Sequence, residues 1–150
     1  MAHGFAAQGA KLAIVSRKLE GCDVTAAELT AAYGTETFTR STHVGDWDDL
    51  DRMVEAVIER FGRIDVLVNN AGMSPLYPSL SDVSEALFDK VVSVNLKGPF
   101  RLMANVGERM MEGDGGAIIN ISSTASVNKS PTSEPYGAAK AGLNGLTRSF

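Results

Sequence analysis

Tyr136 and Lys140 stand four residues apart in the run Tyr136-Gly137-Ala138-Ala139-Lys140. On a helix that spacing puts both side chains on one face, one turn from each other. A phenol alone, with a reference pKa of about 10, is a poor acid–base group near neutral pH. An ammonium beside it favours the phenolate, and acid–base chemistry comes within reach. The same spacing also fits a surface tyrosine with an unrelated lysine, so the pair needs support from elsewhere in the chain.

Three other places offer that support. The run Ile118-Ile119-Asn120-Ile121 ends in two hydroxyls, Ser122 and Ser123, and Ser123 lies thirteen residues before Tyr136. A hydroxyl there can donate to a carbonyl oxygen as it gains negative charge; it can equally cap a loop. In Val68-Asn69-Asn70-Ala71-Gly72 the Asn side chains can tie strand ends together. Ala and Gly there let a flat ligand approach the backbone, although a simple turn has the same letters. Asn95 precedes Pro99 by four residues. Proline lacks an N–H and its ring clashes with the carbonyl four residues back. The Asn95 carbonyl thus loses its helical partner and the helix should bend. A freed carbonyl beside an amide makes a natural water site, but a kinked core helix without chemistry would read the same way.

The positioning elements follow from apolar periodicity. Residues 1–8 read as the tail of a helix stopped at Gly9, and 11–16 as a buried strand. A helix is expected over about 22–33, ended by Gly34, and a strand over 36–44. Asp46 then caps a helix to Phe61, with Leu50, Met53, Val54, Val57, Ile58 and Phe61 as one apolar stripe, closed by Gly62. Ile64–Val68 is nearly free of polar residues, as a strand buried on both faces must be. After a loop holding Pro75 and Pro78, Ser84 opens a long helix to about Met111. A turn at 113–116, a strand at 117–121, a polar loop at 122–133 and a helix from about Pro135 complete the chain.

Strand and helix alternate, which predicts an α/β fold: a parallel sheet in three layers, with helices on both faces. Ligands bind such sheets outside the carboxyl ends of the strands. Asn70–Gly72 and Ser122-Ser123 fall at such ends. With no repeat and no low-complexity linker, residues 1–150 read as a single domain.

Composition narrows the class. The 150 residues are 44% hydrophobic and 21% charged, as in ordinary globular proteins. Lys plus Arg number 14 against 18 Asp plus Glu, a net charge of −4 that argues against nucleic acid as a partner. No apolar run approaches the roughly 20 residues of a membrane span. The start lacks the basic-then-apolar layout of a signal peptide. Cys22 is the only cysteine and cannot form an internal disulfide, so a reducing, cytoplasmic compartment is expected. No metal site is expected.

Asn69-Asn70-Ala71-Gly72, Asn95, Ser122-Ser123 and Tyr136-Gly137-Ala138-Ala139-Lys140, in that order, resemble the short-chain dehydrogenase/reductase family. The resemblance extends over essentially the whole chain. It implies a Rossmann-type fold and hydride transfer between a nicotinamide cofactor and a carbonyl or alcohol. Tyr136 would be the proton donor and acceptor. Lys140 would lower its pKa and hold the nicotinamide ribose. Ser123 would polarise the substrate oxygen, and Asn95 would hold a water in a proton relay through Lys140. Asn70, Ala71 and Gly72 would line the cofactor. A homo-oligomer, dimer or tetramer when full length, is implied through the helices at 84–111 and 135–150.

The resemblance also exposes departures. Family members that prefer NAD tend to carry an acidic residue after the second strand. Here the strand ends Val15-Ser16-Arg17-Lys18, where no carboxylate repels a 2′-phosphate and Arg17 can grip one. NADP is therefore expected over NAD, with Ser16 and Arg17 at the cofactor. Where members often place an Asp before Val44 to read adenine, this chain has His43. A histidine accepts a hydrogen bond only when neutral and suitably tautomeric. An adenine contact by His43 and a His43 that simply faces solvent both fit the sequence, and the Val44 backbone can contribute to adenine in either case.

The family's phosphate-binding glycine turn would precede Met1, and later strands would follow Phe150. The fold is thus expected to be incomplete at both ends, a part of a longer enzyme or of a clipped or mis-started reading frame. Poor stability and weak cofactor binding are expected of residues 1–150 alone. Two other readings stand beside the enzyme: a catalytically silent fragment or dinucleotide-binding scaffold, and a sugar-nucleotide epimerase or dehydratase sharing the Tyr–Lys pair. Substrate identity is not legible.

Overall fold

Polar side chains begin two of the helices where the sequence places them. Asp46 Oδ1 accepts the N–H of Asp49 at 2.9 Å, and Ser84 Oγ accepts that of Leu87 at 3.2 Å. Each replaces a bond that a first helical turn lacks. The structure, a computed structural model, describes every residue except Ser130, which falls within the polar loop read over 122–133 and lies outside the described residues.

The elements run α1 (Ala2–Ala7), β1 (Leu12–Ser16), α2 (Leu19–Tyr33), β2 (Thr37–Ser41), α3 (Trp47–Phe61), β3 (Val66–Asn69), α4 (Glu85–Val92), α5 (Gly98–Glu112), β4 (Ala117–Asn120) and α6 (Glu134–Ser149). β2 stops three residues short of the expected Val44, because Asp46 N–H turns back to the His43 carbonyl at 2.8 Å. No described helix is long and apolar enough to cross a membrane.

All four strands are parallel, as expected, but they form two pairs rather than one continuous sheet. Leu12 to Ser16 stand opposite Thr37 to Ser41, and Val66 to Asn69 opposite Ala117 to Asn120. Alternation along the strands sorts the helices into layers. Val15 and Phe38 join a core with Leu50, Val54 and Val57 of α3 and with Leu102, Val106 and Met110 of α5. Ser16 points the other way, and Cys22 of α2 packs there with Sγ 3.2 Å from Ser16 Oγ. The first pair therefore has helices on both faces.

The second pair differs from expectation. Leu67 and Ile118 join the α3–α5 core. The opposite face carries Val66 and Ile119, which are 39% and 38% exposed. The strand expected to be buried on both faces is covered on one, since α3 and α5 lie on the same side.

The helix expected in one piece from Ser84 to about Met111 is interrupted. α4 passes into α5 through a π-helical turn, Ser93–Lys97, whose Gly98 N–H bonds the Ser93 carbonyl. Pro99 has no N–H to return to Asn95, so the expected bend takes the form of a wider turn. Gly98 also lies against the end of the β2 connection: a β-carbon there would stand 2.0 Å from the Val44 carbonyl oxygen. No side chain fits. Ser93 Oγ donates to the neighbouring Gly45 carbonyl at 2.9 Å, which fastens that connection to the π-helical turn.

Candidate active site

Lys140 is 3% exposed, and burial pushes its ammonium below the ordinary lysine range. Its Nζ donates to the Ile121 carbonyl at 2.6 Å and lies 5.8 Å from the centre of the Tyr136 ring. One turn of α6 thus brings the ammonium beside the phenol, as the four-residue spacing requires. Both side chains line a cavity of about 230 Å³ together with Asn70, Gly72, Met73 and Ser122.

Asn95 stands directly behind this cavity. It is fully buried. Its Oδ1 accepts the Met73 N–H at 3.1 Å, and its Nδ2 donates to the Met73 carbonyl and the Val91 carbonyl, each at 2.9 Å. The side chain therefore ties the loop after β3 to the helix. A β-carbon on Gly72 would meet Asn95 Oδ1 at 2.9 Å and Lys140 Nζ at 3.7 Å. Glycine is what lets these groups meet.

The paired strand ends are locked in turn. Asn69 Nδ2 donates to Asn120 Oδ1 at 2.8 Å, and Asn120 Nδ2 donates to Thr147 Oγ1 on α6 at 3.0 Å. Asn69 is thus a strand tie, while its neighbour Asn70 faces the cavity.

The two serines divide unexpectedly. Ser123 Oγ accepts the Ala125 N–H at 3.2 Å and caps a short turn over Thr124–Ser126. Ser122 lines the cavity, and its buried Oγ has no hydrogen-bond partner among the described residues. The sequence points both serines at the crevice, with the substrate-directed role on Ser123, and does not single out Met73 or Ser74. A hydroxyl next to Ser123 was visible there, but only the chain's path past the end of β4 decides which one turns inward.

Ser16, Arg17, Val44 and Ala71 are not among the cavity's lining residues. Ser16 Oγ donates to the Lys18 carbonyl at 3.0 Å, and the Arg17 carbonyl accepts from Ser41 Oγ at 3.0 Å. The Arg17 residue is exposed. His43 is engaged within its own loop, its Nδ1 accepting the Gly45 N–H at 3.0 Å and its backbone N–H reaching Asp49 at 3.1 Å.

A larger cavity of about 290 Å³ opens between α3 and α5. Four of its charged groups already pair: Arg101 grips Asp51 with two bonds, and Arg109 bonds Glu55, while Glu108 also lines it. With those ions satisfied by each other, the smaller cavity is the better candidate for chemistry.

The short chain dehydrogenase family profile matches residues 1–150, and the chain belongs to that family. An uncharacterized oxidoreductase of Thermotoga maritima is 41% identical over 146 residues, covering 97% of this chain and 57% of that protein. A levodione reductase of Leifsonia aquatica is 39% identical over 145 residues, covering 96% and 54%. A metagenomic short-chain oxidoreductase, solved in complex with NADP, is 34% identical with a TM-score of 0.94, covering 99% of this chain and 66% of that one. The chain spans little more than half the length of these two sequence relatives.

Proposed function

We propose that the protein carrying this chain is a nicotinamide-dependent oxidoreductase that interconverts a carbonyl and an alcohol, with Tyr136 as the acid–base group. One observation carries the reading: the phenol of Tyr136 and the buried ammonium of Lys140 share a small cavity with Gly72 and a hydroxyl.

The cavity's residues fit a nicotinamide nucleotide. Gly72 keeps one wall bare, and the buried Ser122 hydroxyl and the Lys140 ammonium offer donors. Asn70, Ala71, Gly72 and Lys140 would hold the nucleotide, and when bound it supplies or accepts hydride. Tyr136 gives a proton to the substrate oxygen in reduction and takes one in oxidation. Lys140 stabilises the phenolate form by its charge. Ser123 uses one lone pair of its oxygen for capping, which leaves its O–H able to donate to the substrate oxygen. Asn95 fixes the loop behind Gly72, and its main-chain carbonyl is the candidate water site of a proton relay.

NADP is favoured over NAD. No carboxylate stands at Ser16-Arg17-Lys18, Arg17 is exposed and open to a phosphate, and the Val44 backbone is left for adenine. The solved relative with NADP is in keeping with this choice. Self-association through the helices over 84–111, α4 and α5, and through α6 belongs to the same proposal. Replacing Tyr136 with Phe tests it. Turnover should fall by about 10²–10⁴-fold while nucleotide binding persists; retained turnover would take the acid–base role from Tyr136, and nucleotide binding without any turnover in the parent would leave the scaffold reading in its place.

A further inference from the structure

Tyr77 is 8% exposed although its neighbour Leu76 is 81% exposed, in a stretch without helix or strand. Its phenol oxygen accepts the backbone N–H of Glu134 at 2.8 Å, and its O–H donates to the Glu134 carboxylate. Glu134 is the first residue of α6. A first-turn N–H has no partner within its own helix, so Tyr77 caps α6 from a distant part of the chain. The phenol also holds the Glu134 carboxylate below its usual range. Burial first, and then that carboxylate, push the Tyr77 phenol up. The pair therefore persists as phenol and carboxylate across neutral pH.

The other end of this stretch is fixed as firmly. Asn95 holds both the N–H and the carbonyl of Met73. Residues 73–77 thus form a strap from the π-helical turn to the start of α6, and Met73 and Ser74 on it line the cavity. Tyr136 sits two residues beyond Glu134, in the same first turn.

We propose that Tyr77 and Glu134 are positioning residues for Tyr136: the strap they close fixes the first turn of α6, and with it the Tyr136 phenol, against the cavity. The inference rests on the reading of Tyr136 as the acid–base group. Neither residue touches reacting atoms. Their effect is on geometry, where an error of about an ångström costs up to ~10²-fold in rate.

The test uses the native protein and its Tyr77→Phe, Glu134→Ala and Glu134→Gln variants. NADPH oxidation with a ketone that the native protein reduces gives kcat and KM, and amide hydrogen exchange is followed across residues 134–149. Phe at 77 removes both bonds, Ala at 134 removes the carboxylate bond, and Gln keeps an acceptor. Tyr77→Phe and Glu134→Ala should lower kcat about tenfold with the KM for NADPH held within about twofold. Exchange should quicken over 134–138 and not over 143–149. Gln should recover most of the kcat lost with Ala, and the double variant should lose little more than Tyr77→Phe alone. Unchanged exchange over 134–138, or a full kcat in Tyr77→Phe, overturns the proposal. Turnover retained by Tyr136→Phe would instead sink the reading of Tyr136. The exchange data need no substrate and would still decide whether the strap holds α6.

Discussion

The side-chain oxygen of Asn95 stands 2.9 Å from the point where a β-carbon on Gly72 would lie. Asn95 cannot easily yield, because three hydrogen bonds hold it in full burial. Gly72→Ala should therefore displace the loop. Overpacking of this kind costs about 1–3 kcal/mol. NADPH binding should weaken with it. Urea unfolding and a fluorescence titration read the two effects, and a variant as stable as the parent would show that Asn95 has room to move.

Lys140 should impose a burial penalty on the fold. Its ammonium is held below the ordinary lysine range by burial. The unfolded chain thus binds its proton more readily than the folded one. The penalty is full below the folded-state value and is relieved as pH rises towards the unfolded value of about 10.4. Lys140→Met should abolish turnover. Its stability relative to the parent should be greatest near neutral pH, and that advantage should shrink as pH rises in the alkaline range. A stability difference that does not vary between neutral and alkaline pH would contradict this.

Asp51 should carry acid-sensitive stability. The two bonds from Arg101 come first in holding its carboxyl below the usual range, helped by Asn105 at 2.9 Å. A lowered folded-state pKa means that the contribution is present above the unfolded value of about 3.9 and is lost as pH falls through the folded value. Asp51→Asn should thus be less stable than the parent at neutral pH, and the gap should close in acid. Denaturant midpoints measured across the acid range would show it.

Ser122 and Ser123 should separate when each is changed to Ala. Ser122 Oγ has no partner to lose among the described residues, so its replacement should not destabilise the fold. Ser123 caps the Thr124–Ser126 turn, and losing it should cost about 1 kcal/mol. If Ser123 also polarises the substrate oxygen, kcat should fall about 10²–10³-fold in Ser123→Ala. A larger kinetic effect from Ser122→Ala would transfer that role to Ser122.

Local signals carried much of this fold. The apolar strands, the stops at Gly34 and Gly62 and the Asp46 cap depend on neighbours within a few residues, so they can be read along the chain. The meeting of Tyr136 and Lys140 is equally local, a matter of one helical turn. What escaped reading depends on packing between distant segments. The division of the strands into two pairs and the exposed Val66–Ile119 face follow from which elements lie beside them. The inward turn of Ser122 follows from the path between β4 and α6. Tyr77 and Glu134 are 57 residues apart, and nothing in either neighbourhood announces the other. Pro99 foretold a bend, while its conversion into a wider turn needed the Gly98 contact with Val44.

The wider turn at Ser93–Lys97 absorbs one residue more than a regular helix would. A helix advances about 100° per residue. Wound regularly with the same residues, α5 would swing Leu102, Val106 and Met110 away from α3. Excising a single residue from this segment should therefore spare the core, since the flanking helices would keep their phase, yet unseat Asn95 from Met73. Such a deletion would separate foldability from site assembly at one codon.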